Sequence, residues 1–171
     1  MYPKYIKLIL AVLTLSYSIF QFYENNIGNG LALIFLMIIF VFLYFKNEII
    51  LLAFLRLRKQ DFNGTEKWLN KIKNPESALT KKQVGYYNYL KGIISSQTNL
   101  TLAEKYFKKA ISLGLSMNHD LAMAKLSLAG ILIQKRRKRE ATTLLNEAKK
   151  IDTQKMLSDQ IKMMQQQMKK I

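Results

Sequence analysis

The sequence predicts an all-α protein: an N-terminal two-helix transmembrane hairpin, then an α-solenoid of three helix pairs, then a C-terminal capping helix. Three observations carry this. Two long apolar runs lie before residue 46, an amphipathic pattern recurs every 38 residues after it, and the chain closes on one more amphipathic stretch backed by Gln and Lys. The expected boundaries are 1–46 for the hairpin, 47–155 for the pairs (about 47–80, 84–117 and 122–155), and 156–171 for the cap.

The first apolar run, Tyr5 to Tyr23, is interrupted after Lys7 only by Thr14, Ser16, Ser18 and Gln21. Its end, Ile19-Phe20-Gln21-Phe22-Tyr23, carries no small-x-small cleavage site, and a second run follows at once, so it reads as a span rather than a signal peptide. Ile27 to Phe45 is 19 residues. At about 1.5 Å per residue that covers roughly 28 Å, close to the hydrocarbon thickness of a bilayer. Glu24 to Gly30 supplies turn residues, with Gly28 and Gly30 read as turn glycines. Tyr23 and Tyr44 suit interfacial anchors. Lys4, Lys7 and Lys46 flank the ends of the hairpin, whereas its loop carries only Glu24, and this asymmetry places both termini in the cytoplasm.

The repeat is centred on Ala103, Phe107 and Ala110. Thirty-eight residues later stand Ala141, Leu145 and Ala148, and 38 earlier Thr65, Leu69 and Ile72, so one helical face returns three times. Leu52, Leu90 and Leu128 keep the same interval, as do Gly92 and Gly130, with Phe54 in the corresponding place of the first unit. One helix pair cannot bury its apolar stripe alone, which is why stacking into a solenoid is expected. Pro75 and Gly114 are read as closing the first two units. No linker separates the second span from the first repeat helix, so the two read either as one continuous helix or, with a kink at Lys46-Asn47-Glu48, as a span followed by a solenoid lying flat with its basic turn at the lipid. The continuous helix would hold the turn within each pair away from the bilayer, with Lys73, Lys81, Lys82 and Lys155 on the membrane side. Asn63-Gly64-Thr65 and Asn99-Leu100-Thr101 match the glycosylation sequon, but each falls where a second helix begins and is read as a helix cap. In the last stretch Leu157, Ile161, Met164, Met168 and Ile171 share one face, read either as the capping surface of a solenoid or as a methionine-rich docking face.

With Ala103-x3-Phe107-x2-Ala110 on the second helix, and Tyr87, Leu90, Lys91 and Ile94 on the first, the chain resembles the tetratricopeptide repeat family from about Asn47 to Thr153. The first helices of the other units offer Ile49, Leu52, Ala53, Arg56 and Lys125, Leu128, Ala129, Leu132. Gly92 and Gly130 lie one place later than the family glycine, Lys125 stands where an aromatic is usual, and the terminal proline is missing. The resemblance implies an inner wall that grips a peptide or partner helix. The family's peptide-carboxylate clamp of lysine and asparagine is not reproduced, Asn88 and Arg58 alone coming near it. The chain also resembles small bacterial membrane proteins with a two-span hairpin at the N-terminus, which implies an integral protein of the bacterial inner membrane.

Charge separates the same two regions. Residues 1–46 hold three basic residues and one acid, leaving 24 basic and 10 acidic residues in the remainder. A surface of that sign suits acidic proteins, nucleic acid or anionic lipid. The chain has no cysteine and one histidine, His119, read as a solvated loop residue, so thiol chemistry and nearly all structural zinc arrangements are excluded. No catalytic constellation, phosphate loop or cofactor motif is present; Gly28-x-Gly30 has neither a strand before it nor a lysine after it in the required place. The reading is therefore a non-enzyme. Its candidate groove is the inner wall Ile50, Phe54, Leu57 and Arg58, then Asn88, Gly92 and Ser95, then Leu126, Gly130 and Ile133, with the two glycines leaving either a dip or room for close packing. Its candidate charged site is Lys135, Arg136, Arg137, Lys138 and Arg139, in the turn of the third pair, either a solvated loop or an anion-binding patch. The expected function is a membrane-anchored scaffold that binds a protein through the groove, the other reading being a tethered binder of RNA or anionic lipid.

The lysine asymmetry makes one direct prediction. A reporter active only outside the cytoplasm, fused after Ile171, is expected to stay inactive; activity there would reverse the topology and restore both sequons as glycan acceptors.

Overall fold

The computed structural model describes residues 4–45 and 47–170, without the side chains of Lys4, Phe45, Lys169 and Lys170; Lys46 and Ile171, named above as a flanking charge and a capping residue, lie outside the described residues. Among the described residues the chain is all-helical, with ten helices and no strand. It divides into two compact units, Met1–Gln83 and Val84–Ile171, so the hairpin is grouped with the first helix pair and the division falls inside one helix.

In the first unit α1 (Lys4–Tyr23) and α2 (Ile27–Phe45) pack as a hairpin. The contact is made by small or polar groups: Ala11 and Ser18 are buried, Ser18 Oγ donates to Gly30 O at 2.8 Å, and a side chain at Gly30 would meet the Phe22 ring at 2.7 Å. Gly30 thus lies in the first turn of α2, as does Gly28, and the connection shrinks to Glu24, Asn25 and Asn26, with Asn25 left-handed at φ 59°. The apolar side chains point outward; only 17% and 6% of the two runs is buried, which is not how an apolar core helix of a soluble protein behaves. By length and composition both helices are able to cross a membrane.

The continuous helix is not formed. Asn47 is extended, φ −62° and ψ 127°, and its side-chain oxygen accepts from the Ile49 and Ile50 amides, so α3 (Glu48–Arg58) starts afresh with its own cap. Asparagine wins here because its carboxamide satisfies amides that a new helix would leave orphaned. The rigid rod that was to hold the turns away from the bilayer is thereby lost. Lys7 ties this junction down, pairing with Glu48 and donating to Leu43 O at 3.3 Å, while Gln83 Nε2 donates to Tyr44 O at 2.9 Å.

From α3 the chain turns through Gln60, left-handed at φ 58°, into α4 (Phe62–Asn70). Asp61 caps α4 through the Gly64 amide at 2.7 Å; Asn63 is therefore not the cap but an exposed residue inside the helix. Pro75 opens the short helix α5 (Pro75–Ala78), a use of proline at the first helical position rather than a simple stop. Helix α6 (Lys81–Ser95) runs across the division between the units.

The second unit continues with α7 (Leu100–Leu113), α8 (Asn118–Gln134), α9 (Lys138–Ile151) and α10 (Ser158–Lys170). Asn99 caps α7 by accepting from the Leu102 amide at 2.9 Å, and Gly114 ends it at φ 75°. All nine spine residues are buried, most of them fully; eight lie in α4, α7 and α9, while Ile72 falls just past the end of α4. The turn between helices repeats as well: Arg136, 76 residues after Gln60, is also left-handed, and the amides of Asp61 and Arg137 each bond the carbonyl five residues back. Tyr86 connects α6 to the start of α8, donating to Asp120 Oδ2 at 2.6 Å and accepting from the Met117 amide at 3.3 Å. His119 sits in the first turn of α8, half-buried, and not in a loop.

Removing a spine residue should be expensive. Phe107→Ala is expected to lower the unfolding free energy by about 3–5 kcal/mol in chemical denaturation, as for other fully buried phenylalanines. An effect below about 1 kcal/mol would place Phe107 outside the core.

Candidate functional site: a closed inner face and a basic turn

The expected inner wall is largely interior. Ile50, Asn88, Gly92, Ser95, Leu126 and Ile133 are buried, Phe54, Leu57 and Gly130 are half-buried, and Arg58 alone is exposed. Both glycine dips are filled. A Cβ on Gly92 would stand 3.0 Å from the Phe107 ring, and one on Gly130 would stand 3.3 Å from Met164 Cε. The second contact is made by α10, which packs on α8 and α9 with its Ile161 buried, as is Leu157 just before it. Polar wall residues turn inward too: Asn88 Nδ2 donates to Val84 O at 2.7 Å. Leu126, Gly130 and Ile133 thus serve packing, and the methionine face of α10 is turned toward its neighbours, Met164 toward Gly130 on α8 and Met168 toward Thr142 on α9. Met163, on the other side of α10, is the exposed one.

The turn at Lys135 to Arg139 divides into two kinds of residue. Lys135 caps α8 and Arg137 caps α9, and both reach back to Glu104 on α7: Lys135 Nζ to Oε2 at 2.8 Å, Arg137 Nη1 to Oε1 at 2.6 Å. Lys108, one turn along α7, adds a third cation at 2.7 Å. Glu104 is buried, and the three donors hold its carboxyl down to about 2, Lys108 contributing most, then Lys135, then Arg137 against the opposing effect of burial. Arg137 also grips Glu140 with two bonds of 2.7 and 2.6 Å. Arg136, Lys138 and Arg139 are exposed, the last two lying in the first turn of α9. The sequence had one clue to this node: Glu104 is the only acid between Glu76 and Asp120.

Most of the remaining acids of the second unit follow the same habit, exposed Asp159 excepted. Asp120 holds Tyr86, Glu147 pairs with Lys125 at 2.5 Å, and buried Asp152 accepts from the Met156 and Leu157 amides at 3.2 and 2.7 Å. Carboxylates thus stitch helices together while Lys138, Arg139, Lys149, Lys150, Lys155 and Lys162 are exposed. Two tyrosines are shifted away from acid–base use. Burial, reinforced by Asp120, pushes the Tyr86 phenol up, and burial pushes Tyr89 up to about 12. Among the described residues no group of three or more His, Asp or Glu could hold a metal ion. Comparison with protein families, with curated proteins and with solved structures finds no match.

The Glu104 node gives a pH prediction. A carboxyl lowered from 4.5 to about 2 by folding contributes stability that is fully present above about pH 4.5 and lost as pH falls toward 2. Glu104→Gln is expected to be less stable at neutral pH by about 1.5–3 kcal/mol, the range for hydrogen bonds to charged groups, and to lose less further stability between pH 4.5 and 2. Parallel acid-unfolding curves for the two proteins would contradict this.

Proposed function

We propose that this chain is a membrane-anchored docking scaffold: α1 and α2 form a two-span hairpin with both ends cytoplasmic, and the tetratricopeptide-like helix pairs behind it recruit an acidic protein to the membrane surface. The observation that carries the reading is the internal use of acids in the second unit. Five of its six acids, Glu104, Asp120, Glu140, Glu147 and Asp152, bond within the unit, and Asp159 stands exposed in the first turn of α10, so lysine and arginine dominate its surface field. A field of that kind favours anionic partners and speeds their encounter. The reading differs from the expected groove scaffold in where the partner sits. With the wall interior, docking belongs to the outer surface, where Arg136, Lys138 and Arg139 are exposed together at one turn.

The hairpin supports the anchoring half of the proposal. Two apolar helices with outward-facing Phe, Leu and Ile need a nonaqueous solvent, and Lys7 at their open end accords with the cytoplasmic side. The cytoplasm of a bacterial cell and its inner membrane remain part of this proposal.

A photo-cross-linker placed at Arg139 in the full chain, in native membranes, is expected to trap a discrete acidic protein. Lys138→Glu together with Arg136→Glu should weaken that product at least tenfold and leave thermal stability unchanged, since neither side chain touches Glu104. Products removed by ribonuclease, with no protein band, would contradict the reading and favour RNA.

A further inference from the structure

We propose that α3 is an interfacial helix, with Leu51, Leu52 and Leu55 seated among the headgroups and upper acyl chains of the bilayer leaflet from which α2 emerges. This rests on α1 and α2 being membrane spans. Helix α3 begins just beyond α2, and the extended Asn47 between them resets its direction, so it is not a continuation of the span.

Helix α3 is apolar on more than one face. Ile50 and Ala53 are buried, with Phe54 and Leu57 half-buried beside them. The opposite face carries Leu51, Leu52 and Leu55, exposed to 43%, 37% and 49%. In the 38-residue register Leu52 corresponds to Leu90 and Leu128, which are 0% and 2% exposed. A position that is core in the other two pairs is therefore open in the first.

The surroundings of that face identify its occupant. Leu51 and Leu55 are one turn apart with Leu52 beside them, and at about 100° per residue the three span an arc of roughly 100°. Arg58 borders the arc on one side, Arg56 on the other, and Lys59 lies at its end; all three are exposed, Arg56 also bonding Asp61 Oδ2 at 3.2 Å. The acid of this helix, Glu48, is paired with Lys7. Leucines flanked on both sides by long cationic side chains match a layer that is apolar below and anionic above, because such side chains keep their charge at headgroup level while their stems lie on hydrocarbon. Chain continuity supplies the proximity, since α3 cannot leave the region of the bilayer into which α2 runs. The Asn47 break then has a role: it lets the chain turn from crossing the bilayer to lying along it.

The chain contains no cysteine, so single labels are simple to place. Bimane on Leu55→Cys, and separately on Leu51→Cys, is measured in the full chain reconstituted into vesicles of phosphatidylcholine and phosphatidylglycerol, with Phe35→Cys in α2 as reference. The expected result is strong quenching at residues 51 and 55 by a nitroxide high on the acyl chain, weaker quenching by one near the bilayer centre, and protection from iodide. Residue 35 should show the reverse depth order. Iodide quenching at 51 and 55 while residue 35 is deep would overturn the interfacial helix and leave the spans standing. Protection from iodide and nitroxide alike, with disulfide cross-linking between copies at residue 55, would also overturn it and assign the face to a second copy. Residue 35 open to iodide would remove the spans, and the proposal with them.

Discussion

Close approach of helices through small side chains is the constraint on which the second unit depends. Ala103 and Ala110 on α7, and Ala141 and Ala148 on α9, are completely buried, each pair bracketing one large residue, Phe107 or Leu145. With no bulk at the alanines the helix axes come near, and the large residue fills the space left over. Gly92 extends the logic to α6, where the Phe107 ring occupies the volume a side chain would take, and Tyr89 meets the same ring edge-on at 6.1 Å between centroids. A larger residue at any of these places would push two helices apart.

This tight interior decides where the polar groups go. Once Asn88, Ser95, Leu126 and Ile133 are used for packing, the expected inner wall no longer offers exposed side chains in the second unit, and the proposed recognition moves outward. The acids then act as cross-links. Glu104 gathers Lys108 from its own helix and Lys135 and Arg137 from the turn between α8 and α9, fixing that turn against α7. The result is a closed helical body with an outward positive field, which is the property the proposed docking uses.

Much of the fold was legible because it is periodic. The spine residues from Thr65 to Ala148 could be read from spacing alone, since apolar positions returning at a fixed interval mark the one helical face that each pair must bury, and every one is buried. The bounds of α2 and the end of α7 at Gly114 followed from runs and breakers. What escaped depended on contacts between residues far apart. That Met164 would cover Gly130, and that Lys135 and Arg137 would reach Glu104, are matters of three-dimensional approach across 31 to 34 residues, with no local pattern to announce them. The break at Asn47 was legible only as the alternative to a continuous helix: the apolar run resumes so soon that spacing alone could not weigh the capping ability of one asparagine. The choice of Asp61 over Asn63 as a cap shows the same limit, since side chains of either type cap well and only the backbone path selects between them.

Docking on the outer surface requires that α10 close the inner face, because an open wall would restore a groove as the binding site. Hydrogen–deuterium exchange of the full chain, followed at the amides from Ile161 to Met168, tests this most directly. A docked α10 predicts protection there well beyond that of an isolated peptide of the same sequence, together with strong protection at Leu126 to Ile133. Exchange of the Ile161 to Met168 amides at the free-peptide rate, with α8 still protected, would contradict it, since α10 would then be undocked and the wall exposed.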